Sequence, residues 1–505
     1  MRLVILGFLF LLSTVCTGQD IQWGKVRKTD NRTAYQKVLG IQNGELYVLR
    51  SRHPLFSKTK MFVDRYDRET LSHAGETLIE LPDIRNADVV IQDVFLLTTG
   101  PVAFITARDK GTGTFSAYMK HMGAVDTLIR VDDGVENGFK GQQYYLVTVT
   151  PDRNGFAVLR KVPYARYSNE KFSLRFYNGK LQEEWHRSFK LPYEGKAFEL
   201  SEIIADDQQT IYMISSFKPE RSDGGDQIGM NEHNMLVYDH LENKVNEFEI
   251  KLGTKRTLAL TLQLDQEMNP VIGGFYADGT SEELKGTFYI RIEKDTRKVL
   301  SASMKPLNTE DLLQAIPMDR RSGESALSSY YFDHLILHED GSAIMVAEKY
   351  YKRVNSYLDL RTNMITYVSN YYYSEILVVG VDADGTIRWT TIVPKRQYSS
   401  NDGGIYSSYA LYRGPDKDVT LLYNDNDANH EEGSDRLRFM DRASRSLLIA
   451  AHIDSTGAMK TKVIDDNDNA PAYSMPRFYF QPNDLQLIML GKRGSRFRFG
   501  TYRYQ

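Results

Sequence analysis

The feature that most restricts this chain is a strand–turn–strand unit that recurs along nearly its whole length. An apolar strand enters a polar turn and leaves as a strand that drifts polar. Instances are FVDRYDRETLSHAGETLIEL, AYMKHMGAVDTLIRV, LRFYNGKLQEEWHRSF, LVYDHLENKVNEFEIKL, YIRIEKDTRKVLSASM, LVVGVDADGTIRWTTIV and LIAAHIDSTGAMKTKVI. Further strand sequence stands upstream of each, as in GELYVLRSR, PVAFITARD, TIYMISSF and DVTLLYND. Asn-Gly, Asp-Gly and charged turn residues supply the positive-φ positions that tight hairpins need. Successive turns lie about 50 to 90 residues apart, room for four strands and variable loops.

Four strands repeated at such a period describe a β-propeller. The last piece, PRFYFQPNDLQLIMLGKRGSRFRFGTYRYQ, offers three strands, and DIQWGKVRK near the N-terminus offers the missing fourth. Trp23 there, Trp185 in GKLQEEWHRSF and Trp389 in DGTIRWTTIV hold the same place in the unit. The expectation is one all-β propeller domain over 19–505, of about eight four-stranded blades, the last closed by the N-terminal strand. Seven blades is the alternative count. A membrane β-barrel would alternate apolar and polar residues along every strand, whereas AIMVA, VTLLY and LQLIML are apolar on both faces. NTEDLLQAI (308–316) reads as a short helix capped by Asn308. Residues 218–234, polar and glycine-rich, read as an exposed loop, and 350–373 lengthen one blade.

Residues 1–18 read as an export signal: Arg2, the apolar core LVILGFLFLL and the small-residue region STVCTG. That core is too short to span a bilayer, and no later run reaches about eighteen apolar residues. Cys16 is the one cysteine. Cleavage after Gly18 removes it, and a lipoprotein anchored through Cys16 is the alternative. The folded part then has no disulfide although export permits one, so the expected address is a bacterial periplasm or cell surface. With 63 basic and 66 acidic residues, the chain has no electrostatic footprint for nucleic acid.

The turn VVGVDADGTIRW resembles the blade repeat of quinoprotein (PQQ-type) propellers and of their non-enzymatic relatives that scaffold outer-membrane assembly. The resemblance implies architecture. The turn is a residue shorter than in the quinone enzymes, and the vicinal cysteines of quinoprotein alcohol dehydrogenases have no counterpart. The aspartate box of sialidases is not matched either, since Asp384 and Gly385 are adjacent and Trp389 lies beyond them. Walker, H-E-x-x-H, C-x-x-C and G-x-S-x-G patterns are missing. No catalytic residue and no organic cofactor is assigned. His334 and His338, in a strand-like segment, read as ordinary blade histidines.

VIDDNDNAPAY (463–473) resembles the calcium-binding linker of cadherins over about nine residues, without the Ig-like repeats of that family, and reads as an interblade turn. Oxygen-rich loops suit hard cations, so Asp465, Asp466 and Asp468 are candidates for a structural Ca2+. Tyr350, Tyr351, Tyr357, Tyr367, Tyr371, Tyr372 and Tyr373 crowd the blade extension. Tyrosine joins an apolar body to a polar tip, which makes them a candidate binding surface. The function expected is a non-catalytic binding or scaffold propeller with a cell-envelope protein or a glycan as partner. A carbohydrate-active enzyme with paired carboxylates at the channel, or a calcium-stabilised adhesin, are the alternatives. A concave central pocket with two facing carboxylates would favour the enzyme; a channel filled with apolar side chains would favour the scaffold.

Overall fold

The computed structural model describes residues 21–503 apart from 54–58, 123–125, 136–144, 163–168, 195–197, 218–219, 222–226, 229–231, 280, 282, 308–329, 360–363 and 432–436. The export signal, Cys16, the expected helix at 308–316 and much of 218–234 lie outside the described residues.

The strands behave as their apolar runs require. Ala343–Ala347 is buried throughout, and strand alternation divides it between two neighbours. Ala343, Met345 and Ala347 pack with Val271, Phe275 and Tyr289 of the preceding sheet. Ile344 and Val346 pack with Leu411, Val419 and Leu421 of the following one. The same division recurs at Leu487 and Met489 against Ile488 and Leu490. Such a strand needs a sheet on each side.

The described residues meet that need with eight antiparallel sheets, each built on four strands. Blades 1 to 8 comprise 33–78, 87–135, 145–194, 198–250, 255–306, 330–393, 409–466 and 473–503. Eight apolar clusters fill the eight interfaces between successive blades. One of them joins Tyr35, Val48 and Tyr66 of blade 1 to Met475, Ile488 and Phe499 of blade 8, which closes the ring. The count is eight rather than seven. The first strands of neighbouring blades lie beside one another, so they surround the axis, and each fourth strand is outermost.

Blade 8 takes its fourth strand from the N-terminus, as the missing strand implied. Ile21 pairs Tyr502 and Trp23 pairs Gly500; Arg27 and Lys28 then resume pairing at Phe497 and Arg496. The Trp23 indole donates to Asp465 Oδ2 at 2.6 Å, and the Arg498 guanidinium carbon stands 4.1 Å from the ring centroid. A Cβ on Gly500 would come within 2.6 Å of the indole, so only glycine permits this seat.

All three tryptophans lie on fourth strands, but they do not face the same way. The register breaks between Phe176 and Tyr177 opposite Trp185, and between Gly380 and Val381 opposite Trp389. No break separates Ile21 from Trp23. One extra residue turns a side chain to the opposite sheet face. Trp185 and Trp389 therefore reach forward, to Gln209 and to the Ser455 carbonyl of the next blade, while Trp23 reaches back to blade 7.

Replacing Trp23 with alanine removes a half-buried indole and its bond across two blades. Fully buried tryptophans cost about 3–5 kcal/mol when truncated to alanine, so Trp23→Ala should lower stability by about 2–3 kcal/mol, with Trp23→Phe intermediate. A circular-dichroism melt measures it. An unchanged midpoint would show that this strand does not hold the ring shut.

Candidate functional site

The turns joining first to second and third to fourth strands lie at one end of the ring. The loops joining second to third strands, and the links between blades, lie at the other. Blade 6 departs from the pattern at this second end. Its second and third strands are Ala343–Asp359 and Met364–Val381, and among the described residues the first strand pairs with the second as far as Lys349. Residues 350–359 and 364–373 thus form a ribbon standing off the ring. The link to blade 7 climbs beside it, pairing Gln397–Ser400 with 370–373.

Directly paired residues share a ribbon face. One face carries Tyr350 opposite Tyr373, Lys352 opposite Tyr371, Ser356 opposite Tyr367 and Leu358 opposite Ile365. The other carries Tyr351 opposite Tyr372, stacked at 4.5 Å, with Tyr398 and Phe439 against Tyr372. The seven candidate tyrosines therefore divide. Tyr351 and Tyr372 brace the outer side, Lys352 sits over the ring of Tyr371, Tyr357 and Tyr367 are exposed near the tip, and Tyr350 and Tyr373 stand at the root.

At that root is a cavity of about 420 Å³ between blades 6, 7 and 8. It opens toward the axis at the ribbon end of the ring. Tyr331, Tyr350, Tyr373, Tyr409 and Tyr479 supply its aromatic walls, and Asp333, Glu348, His334 and Arg477 its ionisable groups. Tyr331 meets Tyr350 edge-on at 5.7 Å, and Tyr350 meets Tyr373 at 4.5 Å.

The polar groups have distinct duties. Glu348 is buried and both its oxygens are taken, one by Lys395 Nζ at 2.5 Å and the other by Ser408 Oγ at 2.6 Å. Lys395 also reaches Gln397 Oε1, which accepts from the Ser408 amide at 2.6 Å. This network holds Ser408 at φ 64, a left-handed backbone unusual for a residue with a Cβ. Asp333 uses only Oδ2, which accepts from the Tyr409 hydroxyl at 2.8 Å. Surrounding protein and the nearby Glu348 carboxylate push Asp333 up to about 7, although its side chain remains open to the cavity. Burial draws His334 down to about 4, so its ring is neutral at pH 7, 3.3 Å from the Tyr479 hydroxyl. Arg477 Nη1 donates to the Tyr373 hydroxyl at 2.8 Å and to the Gly403 carbonyl at 3.5 Å. Its other guanidinium nitrogens have no hydrogen-bond acceptor among the described residues, and the side chain lines the cavity.

Of the calcium candidates, Asp465 and Asp466 end the fourth strand of blade 7 and Asp468 lies in the link to blade 8. Asp465 accepts from Trp23 and stands 3.7 Å from Arg498. Asp466 accepts from the amide of Asp468 at 2.7 Å. The residue between them, Asn467, is fully buried. It donates to Asn424 and Ser446 at 3.0 Å and accepts from the Ser474 amide at 3.0 Å. The cadherin-like stretch thus acts here as the interblade turn that its surroundings implied. Among the described residues, the trio with ligand atoms within 4.8 Å of one another is Asp64, His73 and Glu76, and Arg50 already pairs with Asp64 and Glu76 at 2.6 Å. His338 lies at the other end of the ring from His334, in a groove with Trp389 and Asp382.

Sequence reasoning missed Asp333, Glu348 and Arg477. A weak signal existed: Glu348 and Lys395 each follow an apolar run, in AIMVAEK and TIVPK, where a charge must be paired or leave the core.

These features define an eight-bladed β-propeller with one elaborated sector. No family model and no curated protein matches the sequence. Among solved structures, the chain is similar to prolyl oligopeptidase B from Galerina marginata, at 9% identity and TM-score 0.41, over 92% of this chain and 55% of that one. The chain therefore spans about half of that enzyme's length. The β-propeller domain of the Trilobed protease from Pyrococcus furiosus gives 8% identity and TM-score 0.36, over 87% and 99%. A europium-containing methanol dehydrogenase gives 10% and 0.40, over 96% and 93%. At such values strand topology carries the fold assignment, and no activity transfers.

Removing one partner of a buried ion pair costs about 3–5 kcal/mol, because the other charge is stranded. Lys395→Met should lower stability by that amount in urea unfolding. Lys395→Met combined with Glu348→Leu should recover part of the loss. A single variant as stable as wild type would show that the pair does not order this rim.

Proposed function

We propose that this chain is an exported binding propeller that holds a protein partner of the cell envelope on the blade 6 ribbon. The observation that carries the reading is the ribbon's exposed apolar face. Val354, Leu358, Ile365 and Tyr367 are 53%, 52%, 57% and 67% exposed and share one face of the ribbon. Exposed apolar groups gathered in this way mark interaction surfaces. The partner we infer presents an extended segment. Residues 350–359 have no strand on their outer edge among the described residues, which suits strand addition, and exposed Lys352 and Arg353 favour an acidic segment. Export rests on residues 1–18 as a reading of sequence alone.

The enzyme reading gains one observation, two carboxylates in one axial cavity. Glycoside hydrolysis asks both to act on substrate or water, and Glu348 has both oxygens bound within the protein. Asp333 alone keeps an oxygen free, which favours recognition over hydrolysis.

A photo-crosslinking residue at position 357, introduced in native envelopes, tests the ribbon. The expected result is one discrete adduct, mapped by mass spectrometry to an acidic extended segment. It should be lost on Leu358→Lys with Ile365→Lys, while circular dichroism shows the ring intact. No adduct, or one indifferent to these two substitutions, would overturn the proposal.

A further inference from the structure

The cavity at the ribbon root has a lining that points to its own ligand. Every side chain lining it is aromatic or polar; no leucine, isoleucine, valine or methionine reaches it. Sites for lipid tails or aliphatic peptide side chains are lined with such groups. A cavity of about 420 Å³ falls within the roughly 300–1,000 Å³ of small-molecule sites. Tyr331 is 56% exposed, and its ring meets that of the part-buried Tyr350 edge-on at 61°, so two aromatic rings stand at an angle in the lining. Flat aromatic faces pack against the C–H faces of sugar rings, and polar tips beside them meet hydroxyls. Asp333 Oδ1 and the Tyr409 hydroxyl supply such tips. Arg477, exposed and lining the cavity, adds a cation, and a guanidinium is the fork that pairs with a carboxylate. Lys395, the other cation nearby, is consumed by Glu348.

We propose that this cavity binds an acidic saccharide, a uronate residue whose ring lies against Tyr331 and Tyr350 and whose carboxylate pairs with Arg477. The site is separate from the ribbon tip and does not depend on the protein-docking reading. The groups facing Asp333 are Glu348 from the second strand of blade 6, Lys395 from the link, Tyr409 from blade 7, Arg477 from blade 8 and neighbouring His334. As pH rises through about 7, Asp333 gains a charge of the same sign as the ligand carboxylate, which stays ionised throughout. Affinity should therefore fall as pH rises.

Isothermal titration of the mature chain with an α-1,4-linked trigalacturonate, its methyl ester and the corresponding neutral galactose trimer tests this. The acid should bind, and the ester and neutral trimer at least tenfold more weakly. Arg477→Gln should lose tenfold or more, with Arg477→Lys intermediate. Tyr331→Ala, a surface change that leaves the fold intact, should also weaken binding, with Tyr331→Phe close to wild type. Affinity should fall severalfold between pH 6 and pH 8, and Asp333→Asn should remove that dependence. Deletion of 352–370 should leave binding in place, so failure of the ribbon reading and failure of this one are told apart. No binding of the acid, equal binding of its ester, or an Arg477→Gln variant that folds and binds as wild type would each overturn the proposal.

Discussion

Everything in this molecule depends on burial of each sheet from both sides. A run such as Ala343–Ala347 has no polar face to give to water, so it must lie between two other sheets. Repeated eight times, the requirement has no solution in an open stack, which would leave two apolar faces at its ends. Closing the stack into a ring removes both ends, and the cluster joining Tyr35 and Tyr66 to Phe478 and Phe499 is that closure. Pairing of Ile21–Trp23 onto the last blade then ties the ends of the described chain to one sheet. Trp23 extends the tie to blade 7 through Asp465. The N-terminal strand therefore contributes at two interfaces, although it is three residues long.

With the walls between blades consumed by packing, polar chemistry is confined to the two ends of the ring and to its axis. The sector of blades 6 to 8 concentrates it. There the long strands of blade 6 carry Glu348 and Tyr350 past the apolar zone, the link to blade 7 returns Lys395 and Ser408 against them, and blade 8 brings Arg477. The buried Glu348–Lys395 pair orders this corner and leaves Arg477 and Asp333 as the groups with capacity to spare. Rigid packing beneath and an open rim above is the arrangement in which loops on a scaffold carry recognition.

How much of this was legible in the sequence varied with the physical distance over which each feature is decided. Two-sided apolar runs and turn chemistry are local, and they disclosed the propeller, its eight blades and the origin of its last strand. The tyrosine cluster at 350–373 was visible as composition. Its division into root, brace and tip was not, because that depends on which residues pair across the ribbon. The tryptophans show the same limit. Their common place on the fourth strand was readable, but a one-residue register break turned two of them away from the third. In the DDNDNAP segment the oxygen-rich composition was visible in the sequence, but the role of Asn467, whose amide ties blade 7 to blade 8, was not.

The sequence by itself determined the closed ring, since period-two burial on both faces admits few other solutions. Only the tertiary structure decided which polar residues share a cavity. Asp333, Glu348, Lys395, Ser408 and Arg477 lie in two blades and the link that leaves the first of them, and their meeting depends on the angle each blade takes about the axis. That angle is set by side-chain packing summed over every interface, which no short stretch of sequence contains.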